Sequence, residues 1–315
     1  MGPSASSGAP VLVAGASGFI GRPLVAALRG DRRSVRALSR NPAGSPRVNY
    51  EPVRGDLLTG EGLDDAMAGV ELAYYLVHSM EAGKAPFWER ERTAAENFGQ
   101  AAAEAGVRRI VYLGGLGLTG REASPHLRSR HMVAEQLAGY VPELVYARAA
   151  LVVGDGGGSF DLLVRLAERA PVIPRTRWTE KLTQPIALRD TVAALVACGD
   201  LPEGGGEVQL GGPDVVSYAD MAIVVAQLLG HTAPPRLPTP GVPPQLAALA
   251  IGFAIPGAET GLLAPLLESV SHETVVERDP PAGINDAPMG FSDAAQWALA
   301  DAGLTGRPVA GSPTP

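Results

Sequence analysis

The sequence predicts an α/β fold, a doubly wound parallel sheet with a smaller C-terminal lobe. Short continuous apolar runs such as VLVA, AYYLV and IVYL recur along the first half. They have the texture of strands buried on both faces. Amphipathic segments of helical period lie between them. The first strand runs straight into a glycine-spaced turn that opens a helix, and repeated βα units of this kind close as a parallel sheet with helices on both faces.

Residues 11–14 form the first predicted strand, and Ile20, Leu24, Val25 and Leu28 mark the buried stripe of the helix that follows. Residues 34–38 give the second strand. Residues 48–52 lead to Gly55-Asp56, and a helix is expected over 63–68. A dense strand over 73–77, a long helix over 87–105, a strand over 110–113, a helix over 129–137 and a strand over 144–151 continue the alternation. Beyond Gly154 the texture changes. GDGGGSF is a glycine-rich loop, and FDLLVRLAER is an amphipathic helix ended by Pro171 and Pro174. A strand over 184–190, a helix over 191–198, a strand over 208–212 and a helix over 218–229 follow, and then a proline-rich section. The expected organisation is a lead-in over 1–9, a nucleotide-binding domain over 10–153, its remaining elements plus the lobe over 154–304, and a disordered tail over 305–315.

Composition narrows the function classes. A net charge of −7 argues against a general nucleic-acid binder. The one cysteine, Cys198, sits in an apolar helical stretch, so core packing and a reducing cytoplasm fit it. The N-terminus lacks a basic segment leading into an apolar run. The apolar stretch 246–267 is broken by Pro256, Glu259 and Pro265, and reads as buried or substrate-covering helices without membrane contact. A monomer or homodimer is expected. His131, His231 and His272 show no ligand spacing, so no metal site is expected.

The strongest motif is Gly15-Ala16-Ser17-Gly18-Phe19-Ile20-Gly21. Gly15 allows the sharp turn off the strand, Gly18 admits a pyrophosphate to the backbone, and Gly21 is expected to let the helix pack on the sheet. The helix N-terminus offers N–H groups and partial positive charge to phosphates. This is a Rossmann-type turn for a dinucleotide. NAD selectivity places an acid at the end of the second strand, about twenty residues on. Here that strand ends Ser39-Arg40, which suits a 2′-phosphate, so NADP(H) is favoured over NAD(H). Arg22 is expected to assist. Asp56-Leu57 is expected beside the adenine, and Leu76, Val77, Gly114 and Gly115 along the cofactor.

With AYYLVHSM, SPHLRSRHMVAEQL and QPIALRDTVAAL, the chain resembles the atypical or extended short-chain dehydrogenase/reductases, especially NmrA-like NAD(P)-binding proteins, over residues 10–230. Reducing members use a serine after the fifth strand and a Tyr-x-x-x-Lys on the next helix. This chain has Gly114-Gly115 in the serine's place. One register puts His126 and Arg130 on the tyrosine and lysine, and a shift by one puts Leu127 and His131 there. His126 as proton donor, Arg130 as ribose anchor and His78 as a pocket residue after the fourth strand form the expected catalytic set; His126 and His78 as plain polar loop residues stand beside it. Asn97 is expected to be structural. Trp88 and Phe87 are candidates to cover a flat aromatic substrate, with helix packing as the alternative, and Arg148, the Gly154-Asp155-Gly156 loop, Trp178 and Gln184 are candidates to flank the cleft.

The resemblance implies an NADPH-dependent oxidoreductase of secondary metabolism acting on a small hydrophobic substrate, such as an aromatic polyketide or a quinone. Its non-catalytic counterpart is an NADP-binding redox sensor.

Overall fold

The computed structural model describes residues 8–42, 50–78, 87–118, 120, 123–169, 172–238 and 272–305. The expectations for 246–267, for most of the lead-in and for 306–315 lie outside these residues.

A seven-stranded parallel sheet forms the centre. Its strands are β1 (Val11–Ala14), β2 (Val35–Ser39), β3 (Glu51–Arg54), β4 (Leu72–Tyr75), β5 (Arg109–Gly115), β6 (Glu143–Ala149) and the strand Gly206–Leu210. The spatial order is β3, β2, β1, β4, β5, β6, Gly206–Leu210. The chain winds outward from β1 through β2 and β3, then returns to lay β4 on the other side of β1. That reversal opens a crevice at the carboxyl ends of β1 and β4, where sheets of this topology take their ligands.

Alternating side chains along the strands serve the two faces. Val11, Val13, Tyr74, Val111 and Val145 pack against Leu24, Val25 and Leu28 of α1 (Gly21–Gly30) and Val192, Leu195 and Cys198 of α6 (Leu188–Gly199). On the opposite face, Leu12, Ala14, Tyr75, Ile110 and Tyr112 meet α2 (Leu63–Met67), α3 (Phe87–Glu104) and α4 (Pro125–Ala138) through Met67, Phe98, Val133 and Leu137. Cys198 is a core residue, and burial pushes its thiol up to about 12.

The lobe has its own core. Phe160, Leu163 and Val164 of α5 (Gly158–Arg169) pack with Met221 and Val225 of α7 (Tyr218–Leu228) and with Phe291, Ala295 and Leu299 of the helix Phe291–Asp301. A capping box between Ser217 and Asp220 starts α7. Gln184 staples this region from its side-chain amide, donating to the Gly212 carbonyl and accepting from the Val276 amide at 2.9 Å.

The structure differs from the sequence reading at several elements; the strand expected over 48–52, for one, is Glu51–Arg54. The strand expected over 184–190 is only Ile186–Ala187, and α6 begins at Leu188. Thr191 Oγ1 bonds back to the Ala187 carbonyl at 3.0 Å, and Asp190 supplies a first-turn carboxylate. The helix expected from Ser129 begins at Pro125, because Ser124 caps it by accepting from the Leu127 amide and Pro125 suits the first turn. The helix Phe291–Asp301 was not anticipated. Its stripe is mostly alanine, at Ala294, Ala295 and Ala298.

Phe98 on α3 is fully buried, its ring 5.0 Å from Tyr75 in an edge-to-face contact. Phe98→Ala is expected to destabilise the protein by about 3–5 kcal/mol. Urea titration would read this as a lower midpoint at unchanged slope.

Candidate active site

The phosphate turn is built backbone against backbone. Gly15 leaves β1 at φ 86°, and a Cβ there would lie 3.0 Å from the Leu76 carbonyl carbon. The Gly18 amide donates to the Gly15 carbonyl at 3.0 Å. A Cβ on Gly21 would fall 2.0 Å from that same oxygen. Gly21 is therefore required by the turn itself; the sequence reading had assigned it to helix-on-sheet packing. No side chain caps α1 at Ile20 and no acid lies in its first turn, so the protein leaves the positive end of the helix uncompensated. That is the fit expected for a pyrophosphate. Arg22 Nε donates to the Ser17 carbonyl at 2.7 Å and braces the turn.

Phe19 explains the glycine-rich loop of the second half. A Cβ on Gly154 or Gly157 would meet its ring at 3.1 or 2.8 Å. The loop lies against the turn because those positions carry no side chain.

At the other end of the crevice, Ser39 closes β2 and its carbonyl accepts from the Gly55 amide. Arg40 follows, exposed. Asp56 accepts from the Leu58 amide at 2.8 Å, and Asn97 of α3 donates to the carbonyls of Leu57 and Leu58 at 2.8 and 3.1 Å. The loop after β3 is thus held from α3, with Asp56 and Leu57 beside the end of β2.

Beyond β4 the chain continues through Leu76 and Val77 to His78, where the polar residues converge. His78 Nδ1 lies 2.6 Å from Glu91 Oε1, and Ser129 Oγ donates to Glu91 Oε2. Glu91 is 5% exposed. The His78 and His126 rings meet edge-to-face at 4.7 Å. Arg130 Nε donates to His126 Nε2 at 3.1 Å, and its Nη1 donates to the Leu113 carbonyl at 3.1 Å. Of the two registers the sequence allowed, His126 and Arg130 are brought to His78. Leu127 is buried against Gly115, and His131 faces Glu135 at 3.5 Å.

Gly114 and Gly115 are dictated by their neighbours. A Cβ on Gly114 would lie 2.4 Å from the Tyr146 ring, and one on Gly115 would lie 2.7 Å from Leu127 Cδ2. Tyr146 in turn stacks on Tyr112 with ring centroids 5.3 Å apart. Arg148 braces the chain beyond β5, pairing with Glu207 at 2.7 Å and donating to the Gly115 and Gly117 carbonyls. Trp88 is exposed at the start of α3, away from a packing role.

Charge follows from these contacts. Burial, then Arg130, then His78 push His126 down to about 2, so its imidazole is neutral. Because Nε2 accepts from Arg130, the proton sits on Nδ1. Burial and Arg130 also lower His78, against the opposing pull of Glu91. Burial would raise Glu91, but its bonds to His78 and Ser129 and the charge of Arg130 outweigh that, and it stays ionised. Glu91 was the residue the sequence reading missed. Its signal was available: it falls three, four and seven positions before Ala94, Ala95 and Phe98, on the buried stripe of α3.

His126 binds a proton in the unfolded chain near pH 6.5 but not in the fold until near 2. The unfolded state therefore takes up more protons as pH falls below about 6.5, and stability drops with it. Thermal melts between pH 7 and 5 are expected to show a falling Tm, with a shallower fall in His126→Asn.

Residues 15–152 match the family model described as NAD(P)H-binding. The ceramide reductase of Caulobacter vibrioides is 28% identical over 239 residues, covering 74% of each chain. Subunit 9 of the mitochondrial NADH dehydrogenase [ubiquinone] 1 alpha subcomplex of Arabidopsis thaliana is 25% identical over 240 residues, covering 72% of this chain and 60% of that one. The crystal structure of gox2253 superposes with a TM-score of 0.71 at 20% identity, covering 95% of this chain and 99% of that one. At that identity the structural likeness speaks for the fold alone.

Proposed function

We propose that this chain, whose residues 15–152 match an NAD(P)H-binding family model, is an atypical short-chain dehydrogenase/reductase that works as an NADPH-dependent oxidoreductase of a small hydrophobic substrate. The observation that carries the reading is the convergence of His78, His126 and Arg130 at the carboxyl edge of β4 and β5, beside the phosphate turn. Gly15, Ser17, Gly18, Phe19, Ile20 and Gly21 would hold the pyrophosphate. Ser39 and Arg40 would take the 2′-phosphate, Asp56 and Leu57 would flank the adenine, and Leu76, Val77, Gly114 and Gly115 would line the nicotinamide side. Bound there, the reduced dinucleotide supplies a hydride.

Arg130, anchored on the Leu113 carbonyl, holds ribose hydroxyls and lends positive charge to a developing oxyanion. His126, neutral with its proton on Nδ1, is a hydrogen-bond donor to substrate oxygen; a neutral imidazole is a known electrophile in this role. Without the serine and tyrosine of the usual set, the site favours acceptors that spread charge over a conjugated system, such as quinones, enones and aromatic polyketides. The ceramide reductase relative acts, by its name, on a lipid, which agrees with an apolar substrate. The same reading takes residues 10–153 as the dinucleotide domain and 154–304 as its completion plus the substrate lobe. It places the protein in the cytoplasm as a monomer or homodimer.

A second reading is a non-catalytic NADP-binding sensor. It is favoured by the absence of the serine and tyrosine and by the His126 Nε2 lone pair being occupied by Arg130. NADPH oxidation followed by absorbance against a panel of quinones and enones separates the two: tight binding with no turnover on any member supports the sensor.

Arg40→Ala is expected to weaken NADPH binding about 10- to 100-fold, the worth of a charge-assisted bond, and to leave NADH binding unchanged by calorimetry. His126→Ala and Arg130→Ala are each expected to lower turnover, on the order of 100-fold or more. Full turnover and full cofactor affinity in both variants would place the reactive pocket elsewhere.

A further inference from the structure

Glu91 occupies a position where the pattern of α3 calls for a hydrophobe. Ala94, Ala95, Phe98, Ala101 and Ala102 continue the same stripe into the core. Burying a carboxylate costs several kcal/mol unless it is paired and hydrogen-bonded. Even then, an apolar residue of similar volume often serves stability as well or better. Ser129 repeats the anomaly on α4, as a buried hydroxyl on the stripe that continues with Val133 and Leu137. The two helices thus each place one polar group in an apolar interface, and the two groups bond to each other.

Among the described residues, the other carboxylate oxygen of Glu91 meets His78 Nδ1 at 2.6 Å. That contact settles which ring nitrogen is left. His78 Nε2 is buried and has no hydrogen-bond partner among the described residues. A buried imidazole nitrogen without a partner costs free energy, and here it lies next to the ring of His126, at the carboxyl edge of β4.

We infer that Glu91, braced by Ser129, is a positioning residue that fixes one proton of His78 on Nδ1 and presents Nε2 to the cleft as the atom that holds and passes the proton of the reaction. The inference rests on the oxidoreductase reading for its chemistry and names the proton route within that site. In the reducing direction the substrate gains a hydride at carbon and a proton at oxygen, with NADPH as the reductant. The reacting form of His78 is the imidazolium, with one proton on Nδ1 toward Glu91 and one on Nε2; the Nε2 proton passes to the substrate oxygen, the electron pair of that N–H bond stays on nitrogen, and the neutral ring left behind is reprotonated from solvent. Glu91 remains ionised throughout and orients the ring, as the buried carboxylate does in a carboxylate–histidine pair. His126, which the sequence suggested as donor, has its Nε2 committed to Arg130 and keeps a hydrogen-bonding role.

The groups facing His78 set the direction of the test. Glu91 from α3 favours its protonated form, while Arg130 from α4 opposes it, with neutral His126 alongside. Tyr75 of β4 and Tyr112 of β5 lie near Glu91, and burial holds both phenols neutral. Removing the charge of Glu91 leaves Arg130 unopposed, so the His78 midpoint moves to lower pH.

The test is nitrogen NMR of the cofactor-free full chain labelled at histidine, with His78 assigned by its loss in H78N. The wild type is expected to carry its neutral-form proton on Nδ1. In E91Q the midpoint is expected to fall by about one unit or more, the size of an opposite-charge interaction at this range. E91D keeps the charge but draws it back by a methylene, so it is expected to fall between the two and serves if E91Q does not fold. In kinetics, E91Q is expected to lose about 10- to 100-fold in kcat at unchanged KM for NADPH, with the alkaline limb of its pH profile moved to lower pH. A merely structural Glu91 would leave that limb in place. An E91Q chain with the wild-type tautomer and midpoint overturns the inference. Failure of the wild type to bind dinucleotide by calorimetry overturns the oxidoreductase reading instead, and the catalytic role of His78 with it.

Discussion

The carbonyl of Gly15 is the point through which the rest of the structure is registered. It accepts the Gly18 amide and so closes the turn, and Gly21 must lack a side chain to pass it. The Cα of Gly15 lies against the backbone of Leu76 and Val77, whose chain runs directly into His78. One crowded contact therefore fixes the exit of β1, the start of α1 and the exit of β4 relative to one another. The positive end of α1 and His78 are thereby held to one another. The lobe is tied to the same point, because Phe19 of the turn fills the space that Gly154 and Gly157 leave open. The pyrophosphate cradle, the polar cluster and the loop leading into the lobe are in this sense one assembly.

The polar cluster is balanced within itself. Glu91 and Arg130 bring one charge of each sign; burial and Arg130 keep His126 neutral, and they lower His78 against the opposing pull of Glu91. No large net charge is buried, so the desolvation cost is met by local pairing rather than by the fold as a whole. Neutral imidazoles also hydrogen-bond directionally, each with one donor and one acceptor nitrogen. The contacts to Arg130 and Glu91 then decide which nitrogen is which. His126 keeps its proton on Nδ1 because Nε2 accepts, and His78 keeps its proton on Nδ1 because Glu91 accepts. Two rings in edge-to-face contact thereby acquire different remaining atoms, a donor at His126 Nδ1 and, at His78 Nε2, an acceptor in the neutral ring that becomes a donor when the ring is protonated.

Most of the fold was legible because parallel strands and their helices carry strong local signals. VLVA, AYYLV and IVYL are dense apolar runs separated by amphipathic segments, and the glycine spacing after the first of them is tied to a helix of clear period. The helix Phe291–Asp301 carried as regular a stripe, but one made of alanine, which a search for larger hydrophobes passes over. The site was legible in part. His126 and Arg130 emerged only by resemblance, with a competing register one residue away, and what separates the two is the cap at Ser124, which sets the phase of α4. Glu91 was hidden among several charged residues in FWERERTAAEN, and only its phase relative to Phe98 distinguishes it. Its partnership with His78 joins segments from different elements, which local pattern does not encode.

The absence of the usual serine and tyrosine is part of the packing and not a local loss. A serine at Gly114 would drive its Cβ into the Tyr146 ring, and one at Gly115 would meet Leu127. Tyr146 cannot yield cheaply, since it stacks on Tyr112, lies under the Arg148 guanidinium at 5.8 Å, and belongs to the buried face beneath α3 and α4. Arg148 is held in its turn by Glu207 of the neighbouring strand and by the carbonyls that follow β5. Restoring the serine would thus require repacking a chain of contacts that runs from β5 to the strand Gly206–Leu210. A site whose customary groups have simply drifted away would leave space where they stood. Here the space is filled, and the polar groups that remain are bonded to one another on the opposite side of β5, nearer to β4.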